Sequence, residues 1–141
     1  MTTARSVAVL MAIVLVASVL SGPPAFAAAA NCDLQKDLFI TQSLGELQRD
    51  GSSMYRVTVT NQCAGDERTG RPCVISRVQL QCGNFRSVVP VDPKVLRVVV
   101  PGVCLLNAGH SIPQDRNVSF VYTSYLRENL YVLSAVCSLG R

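Results

Sequence analysis

The chain has 141 residues, 13 Lys and Arg against 9 Asp and Glu for a net charge of +4, six Cys and no Trp. This length suits one domain with a limited core. The basic residues stand singly, as at Arg49, Arg56, Arg77, Arg97 and Arg127; they form no run or dense patch of the kind nucleic-acid binding requires.

The first element in chain order is a secretory signal. Arg5 precedes the apolar run Ser6 to Leu20, which is followed by Gly22-Pro23-Pro24 and the small residues Ala25-Phe26-Ala27-Ala28-Ala29-Ala30. About 15 apolar residues make a helix of roughly 22 Å, short of the roughly 30 Å hydrocarbon core, so a signal peptide fits better than a membrane anchor. Ala25-x-Ala27 places cleavage after residue 27, and Ala28-x-Ala30 also fits, which would put it as late as 30. The remainder, residues 31–141, reads as a single cysteine-rich domain with no second hydrophobic span. The expected product is secreted and extracellular, without stable membrane insertion. Cleavage removes Arg5 and much of the apolar fraction. Of the basic residues left, only Lys36 and Lys94 are Lys. Arg suits planar contacts to a protein or glycan partner, and equally an ordinary solvated surface.

Cys32, Cys63, Cys73, Cys82, Cys104 and Cys137 all follow the signal. An even set in a short exported chain predicts three disulfides. Spacing does not choose among the possible pairings. A zinc site is disfavoured because there is no Cys-x-x-Cys and His110 is the only histidine.

Between the cysteines the period is two. Tyr55, Val57 and Val59 alternate with Arg56, Thr58 and Thr60; Val74, Val78, Leu80 and Cys82 are set against Arg77, Gln79 and Gln81; Val118, Phe120 and Tyr122 are set against Val121 and Thr123. Each segment reads as a half-buried strand. Fainter strand signals cover Asp37 to Gln42, Phe85 to Val89, Val95 to Val100 and Leu130 to Val136, and Gln42 to Arg49 has the look of a helical turn or two. Turn formers separate them at Asp50 to Ser53, Ala64 to Pro72, Pro90 to Pro93, Pro101-Gly102 and Asn107 to Gly109. The resulting fold class is all-β, a small antiparallel β-sandwich of about seven strands stabilised by disulfides. With no Trp, the immunoglobulin signature is missing. Ala64 to Pro72 reads as a charged solvent loop pinned by Cys63 and Cys73.

No catalytic constellation stands out. His110 lies in the turn-like Gly109-His110-Ser111, with no nucleophile marked for it to activate. Asp66 and Glu67 are adjacent on a loop rather than braced on facing strands as paired acids would be. An enzyme is not expected, nor a metal or other cofactor. Asn117-Val118-Ser119 is a glycosylation acceptor at a predicted loop-to-strand junction. Asn61-Gln62-Cys63 is a poorer one, because its cysteine should be bridged.

Several segments carry a resemblance: Tyr55-Arg56-Val57-Thr58-Val59-Thr60-Asn61-Gln62-Cys63, Cys82-Gly83-Asn84-Phe85, Asp92-Pro93, Cys104-Leu105-Leu106-Asn107-Ala108-Gly109 and Ser119-Phe120-Val121-Tyr122. In this order and spacing, after Cys32, the chain resembles the plant tapetum-determinant family of small secreted cysteine-rich proteins, as a divergent member. The resemblance implies an extracellular, apoplastic ligand for a leucine-rich-repeat receptor kinase ectodomain, specifying cell fate in the anther tapetum. Asn84 stands where closer family members carry Trp, which makes Asn84 and Phe85 the candidate receptor contacts. Two other readings remain. One is a carbohydrate-binding or cell-wall protein using Tyr55, Tyr122, Tyr125 and Tyr131 as a stacking platform; the other is a disulfide-stapled defence or inhibitor protein.

Overall fold

The computed structural model describes residues 32–141; the predicted signal peptide and its cleavage site lie outside these residues. A single helical turn, α1 (Leu34–Asp37), leads into seven strands: β1 (Leu38–Leu47), β2 (Ser53–Asn61), β3 (Cys73–Gly83), β4 (Leu96–Val100), β5 (Gly102–Leu106), β6 (Asn117–Ser124) and β7 (Tyr131–Leu139). They form a three-stranded sheet ordered β1-β2-β6 and a four-stranded sheet ordered β4-β5-β3-β7, with every pairing antiparallel. The expected all-β sandwich is the observed fold.

The alternation in β2 does what its sequence indicates: Val57, Val59 and Asn61 are fully buried and Arg56 is exposed. In β6 Phe120 and Tyr122 face inward, opposite Val57 and Tyr55 of β2. The pattern in β3 is broken by a bulge. Arg77 adopts φ 52°, and the pairing with β7 shifts between Ser76 and Gln79. An extra residue inverts the facing of a strand on either side of it. Ile75 rather than Val74 is therefore fully buried before the bulge, while Val78, Leu80 and Cys82 are buried after it.

Two further expectations are corrected. Gln42 to Arg49 is not helical, because β1 stays paired with β2 as far as Leu47 opposite Ser53. Phe85 to Val89 is not a strand; it touches β6 through one backbone bond, Val88 N–H to the Thr123 carbonyl at 2.7 Å, and Ser87 Oγ takes the Thr123 N–H at 2.9 Å where a ladder would continue. The strand it would have supplied is β5, a short segment directly after Pro101.

The disulfides are Cys32–Cys137, Cys63–Cys73 and Cys82–Cys104, with Cα separations of 6.4, 5.6 and 6.0 Å. The first two join the sheets, one from the lead-in of β1 to β7 and the other from the end of β2 to the start of β3. The third bridges β3 and β5 inside one sheet. Sulfur atoms of Cys32 and Cys63 lie with a carboxylate oxygen of Asp37 within 4.8 Å of one another. Because both sulfurs are in disulfides, the cluster offers no thiolate to a metal.

Candidate functional site

The sandwich has two unlike ends. At the first, Asn61 is fully buried, and its Nδ2 donates to the carbonyls of Cys73 (3.0 Å) and Ile112 (2.9 Å) while its Oδ1 accepts from the Cys63 N–H (2.8 Å). One side chain thus ties the end of β2 to the start of β3 and to the segment before β6. The Cys63–Cys73 loop is a small hairpin: Asp66 and Arg71 pair through their backbones, and the Asp66 carboxylate accepts from Arg68 N–H and Thr69 Oγ. A Cβ at Gly65 would collide with the Arg71 carbonyl, so the turn closes only around glycine. Arg71 donates to the carbonyls of Gly140 (2.8 Å) and Leu139 (3.2 Å), fastening the end of β7. Both acids that sequence reading weighed for catalysis are in this hairpin, and the Asp66 carboxylate holds the turn.

The opposite end gathers the β1–β2 turn, the start of the β3–β4 connection and the β6–β7 loop. Its anchor is Tyr122. The buried ring stacks on Tyr55 at 5.1 Å and meets the edge of Phe85 at 5.3 Å. Its hydroxyl donates to Gln42 Oε1 (2.7 Å) and accepts from the Glu128 N–H (2.9 Å), and Gln42 Nε2 donates to the Glu128 carbonyl (2.8 Å). Burial raises the Tyr122 pKa above its ordinary value. The β6–β7 loop is in this way pinned across the sandwich to β1.

The β1–β2 turn is shaped by Asp50, which accepts from the Ser52 N–H (2.9 Å) and Oγ (2.6 Å), with Gly51 at φ 89°. Those bonds, the Ser52 hydroxyl foremost, lower the Asp50 pKa; the bond that Tyr125 Oη donates to Asp50 at 3.2 Å raises the Tyr125 pKa.

Upon this frame sit apolar side chains turned to solvent: Leu44, Leu47, Val88, Val89, Tyr125 and Leu126, with Leu47 74% and Leu126 78% exposed. Arg49, Arg86 and Arg127, all exposed, occur beside them in the chain. Exposed apolar side chains beside arginine mark a candidate interaction surface. This end is the candidate site.

Asn84 lies exposed in the turn after Gly83, at the same end. Phe85 is half-buried, with its ring spent on Tyr122. The four-tyrosine platform is not formed: Tyr122 is buried under Tyr55, and Tyr125 and Tyr131 sit on different elements. His110 is exposed, and its N–H donates to the Asn107 carbonyl. Asn117 is exposed at the start of β6, as expected, while Asn61 is fully buried. Sequence reading did not single out the exposed apolar residues, because they come from three segments spread between residues 44 and 126. The signal that existed was a set of apolar residues inside turn-rich stretches, such as Val88-Val89 before Pro90 and Tyr125-Leu126 before Arg127.

The family model described as "Tapetum determinant 1, C-terminal" matches residues 34–138, which takes in nearly all of the seven strands and every cysteine except Cys32. The chain belongs to the tapetum determinant 1 family. It is similar to TPD1 protein homolog 1A of Oryza sativa subsp. japonica, 36% identical over 106 residues that cover 75% of this chain and 47% of the relative. To TPD1 protein homolog 1 of Arabidopsis thaliana it is 30% identical over 101 residues, covering 72% of this chain and 53% of the relative. The chain spans about half the length of these curated relatives. No solved structure matches it. Two of the segments that carried the resemblance have physical counterparts here. The Asn of the Tyr-x-Val-x-Val-x-Asn-x-Cys segment is the buried tie Asn61, and the Tyr of Ser-Phe-x-Tyr is the loop anchor Tyr122.

Proposed function

We propose that this chain is an exported signalling ligand of the tapetum determinant type, without enzymatic activity, whose apolar loop end docks on the leucine-rich-repeat ectodomain of a plant receptor kinase and directs cell fate in reproductive tissue. The observation that carries the reading is the Arg-flanked apolar end, set on a disulfide-held sandwich of this family. A preorganised frame loses little entropy on binding, and a repeat ectodomain offers the extended concave surface such an end would enter. The glycan-binding alternative gains nothing from the tyrosines, two of which stack on each other inside.

The test is direct. The oxidised, folded protein is presented to a panel of leucine-rich-repeat ectodomains and, in parallel, to a glycan array. Saturable binding to an ectodomain with an unreactive array supports the reading. Array binding with no ectodomain captured overturns it.

A further inference from the structure

The outer face of the three-stranded sheet has no part in the proposed docking end. Its rungs across β1, β2 and β6 read Phe39–Thr60–Asn117 and Thr41–Thr58–Ser119. The face is polar and hydroxyl-rich, with Thr58 and Ser119 sharing a hydrogen bond at 2.9 Å, yet Phe39 lies on it 51% exposed. Asn117 and Ser119 are exposed on this face, while Val118 between them packs against the core. An acceptor triplet needs its carboxamide in solvent. Asn61 has given its carboxamide to three buried bonds and cannot serve; Asn117 can.

The strand is also an edge. Thr123 directs both its N–H and its carbonyl toward Ser87 and Val88, and the two-residue period of a strand turns Val121, Ser119 and Asn117 the same way. Among the described residues no strand lies beside them. Open edges invite pairing with other chains unless something covers them.

We propose that Asn117 carries an N-linked oligosaccharide that covers the open edge of β6 and extends over Thr60 toward Phe39, a span of about 10 Å for two strand spacings. The new bond joins Asn117 Nδ2 to the anomeric carbon of an N-acetylglucosamine. The bond broken joins that carbon to the pyrophosphate of a lipid-linked oligosaccharide donor, which leaves as the pyrophosphate while the amide gives up one proton. The proposal rests on the export reading above, since transfer takes place in the secretory pathway.

The full chain is expressed in plant cells, and the secreted product is treated, in heavy-oxygen water, with a peptide-N-glycosidase that accepts fucosylated cores. Trypsin then cuts after Arg116 and Arg127, so the peptide from Asn117 to Arg127 reports the site alone. The expected result is conversion of Asn117 to Asp with the heavy label, absent from Ser119→Ala, and a larger aggregated fraction of Asn117→Gln on size exclusion. A secreted, disulfide-bonded chain with unmodified Asn117 overturns the site. A modified chain whose Asn117→Gln variant aggregates no more than wild type overturns the shielding role. A chain that is never exported overturns the export reading, and this site with it.

Discussion

The two ends of the sandwich solve opposite problems with different means. At the cysteine end, Cys32–Cys137 and Cys63–Cys73 join the sheets covalently, Asn61 satisfies three buried groups and Arg71 fastens the last strand. The loop end is held by side-chain hydrogen bonds through Tyr122, Gln42 and Asp50, and it leaves its leucines and valines in water. Holding is concentrated at one end and display at the other. A domain of about 110 residues has a modest core, and locking one end frees the other from having to bury its apolar side chains.

If that division is right, damage to the cysteine end should cost stability. Replacing Cys32 and Cys137 together by Ser removes a closure over a sequence separation of 105, and the chain-entropy model puts the loss at about 4–5 kcal/mol. Denaturant unfolding should show this as the largest single effect. Next is Asn61→Ala, which strands two carbonyls and an N–H in a fully buried place; a loss of about 3 kcal/mol is expected in the same measurement.

Tyr122→Phe sharpens the comparison, because it keeps the ring stack and removes only the two bonds of the hydroxyl. About 1–2 kcal/mol should be lost, with hydrogen exchange accelerating first at Glu128 in the β6–β7 loop.

The smallest effect is a pH response of the Tyr125–Asp50 contact. Asp50 has its pKa lowered by folding from 3.8, so its contribution is full above that value and fades as pH falls through the folded pKa. Tyr125 has its pKa raised from 10.0, so its contribution is full below that value and fades as pH rises through the folded pKa. Both groups are solvent-exposed, and the effect is local. Amide shifts at Gly51 and Leu126 should move in acid and again in alkali; Asp50→Asn should abolish the acid transition and move the alkaline one to lower pH.

Sequence alone made the cysteine end partly legible. Six cysteines and the alternation of Val57 and Val59 announced a bridged sandwich, since period and burial are local properties of a strand. Pairing of the cysteines was not legible, because it depends on how the sheets stack. The Arg77 bulge was hidden for a related reason: nothing in the side chains of Ser76 and Arg77 signals a positive φ, and the inversion from Val74 to Ile75 follows from it. Phe85 to Val89 had strand composition, but a strand exists only with a partner along its length, and Ser87 interrupts that ladder. At the loop end the individual residues were visible, but their convergence was not. Val88 is held by its bond to Thr123 and Tyr125 by its bond to Asp50, contacts between distant segments that no local pattern encodes.

The central claim is that recognition belongs to the loop end. Titration of a leucine-rich-repeat ectodomain against wild type, Leu47→Asp, Leu126→Asp and, as an exposed control at the cysteine end, Glu67→Gln tests it most directly, with circular dichroism verifying that each variant is folded. The account predicts that the two loop-end variants lose at least about tenfold in affinity, equivalent to about 1.4 kcal/mol, while Glu67→Gln binds as wild type. Undiminished binding by Leu47→Asp and Leu126→Asp, or loss confined to Glu67→Gln, would contradict it.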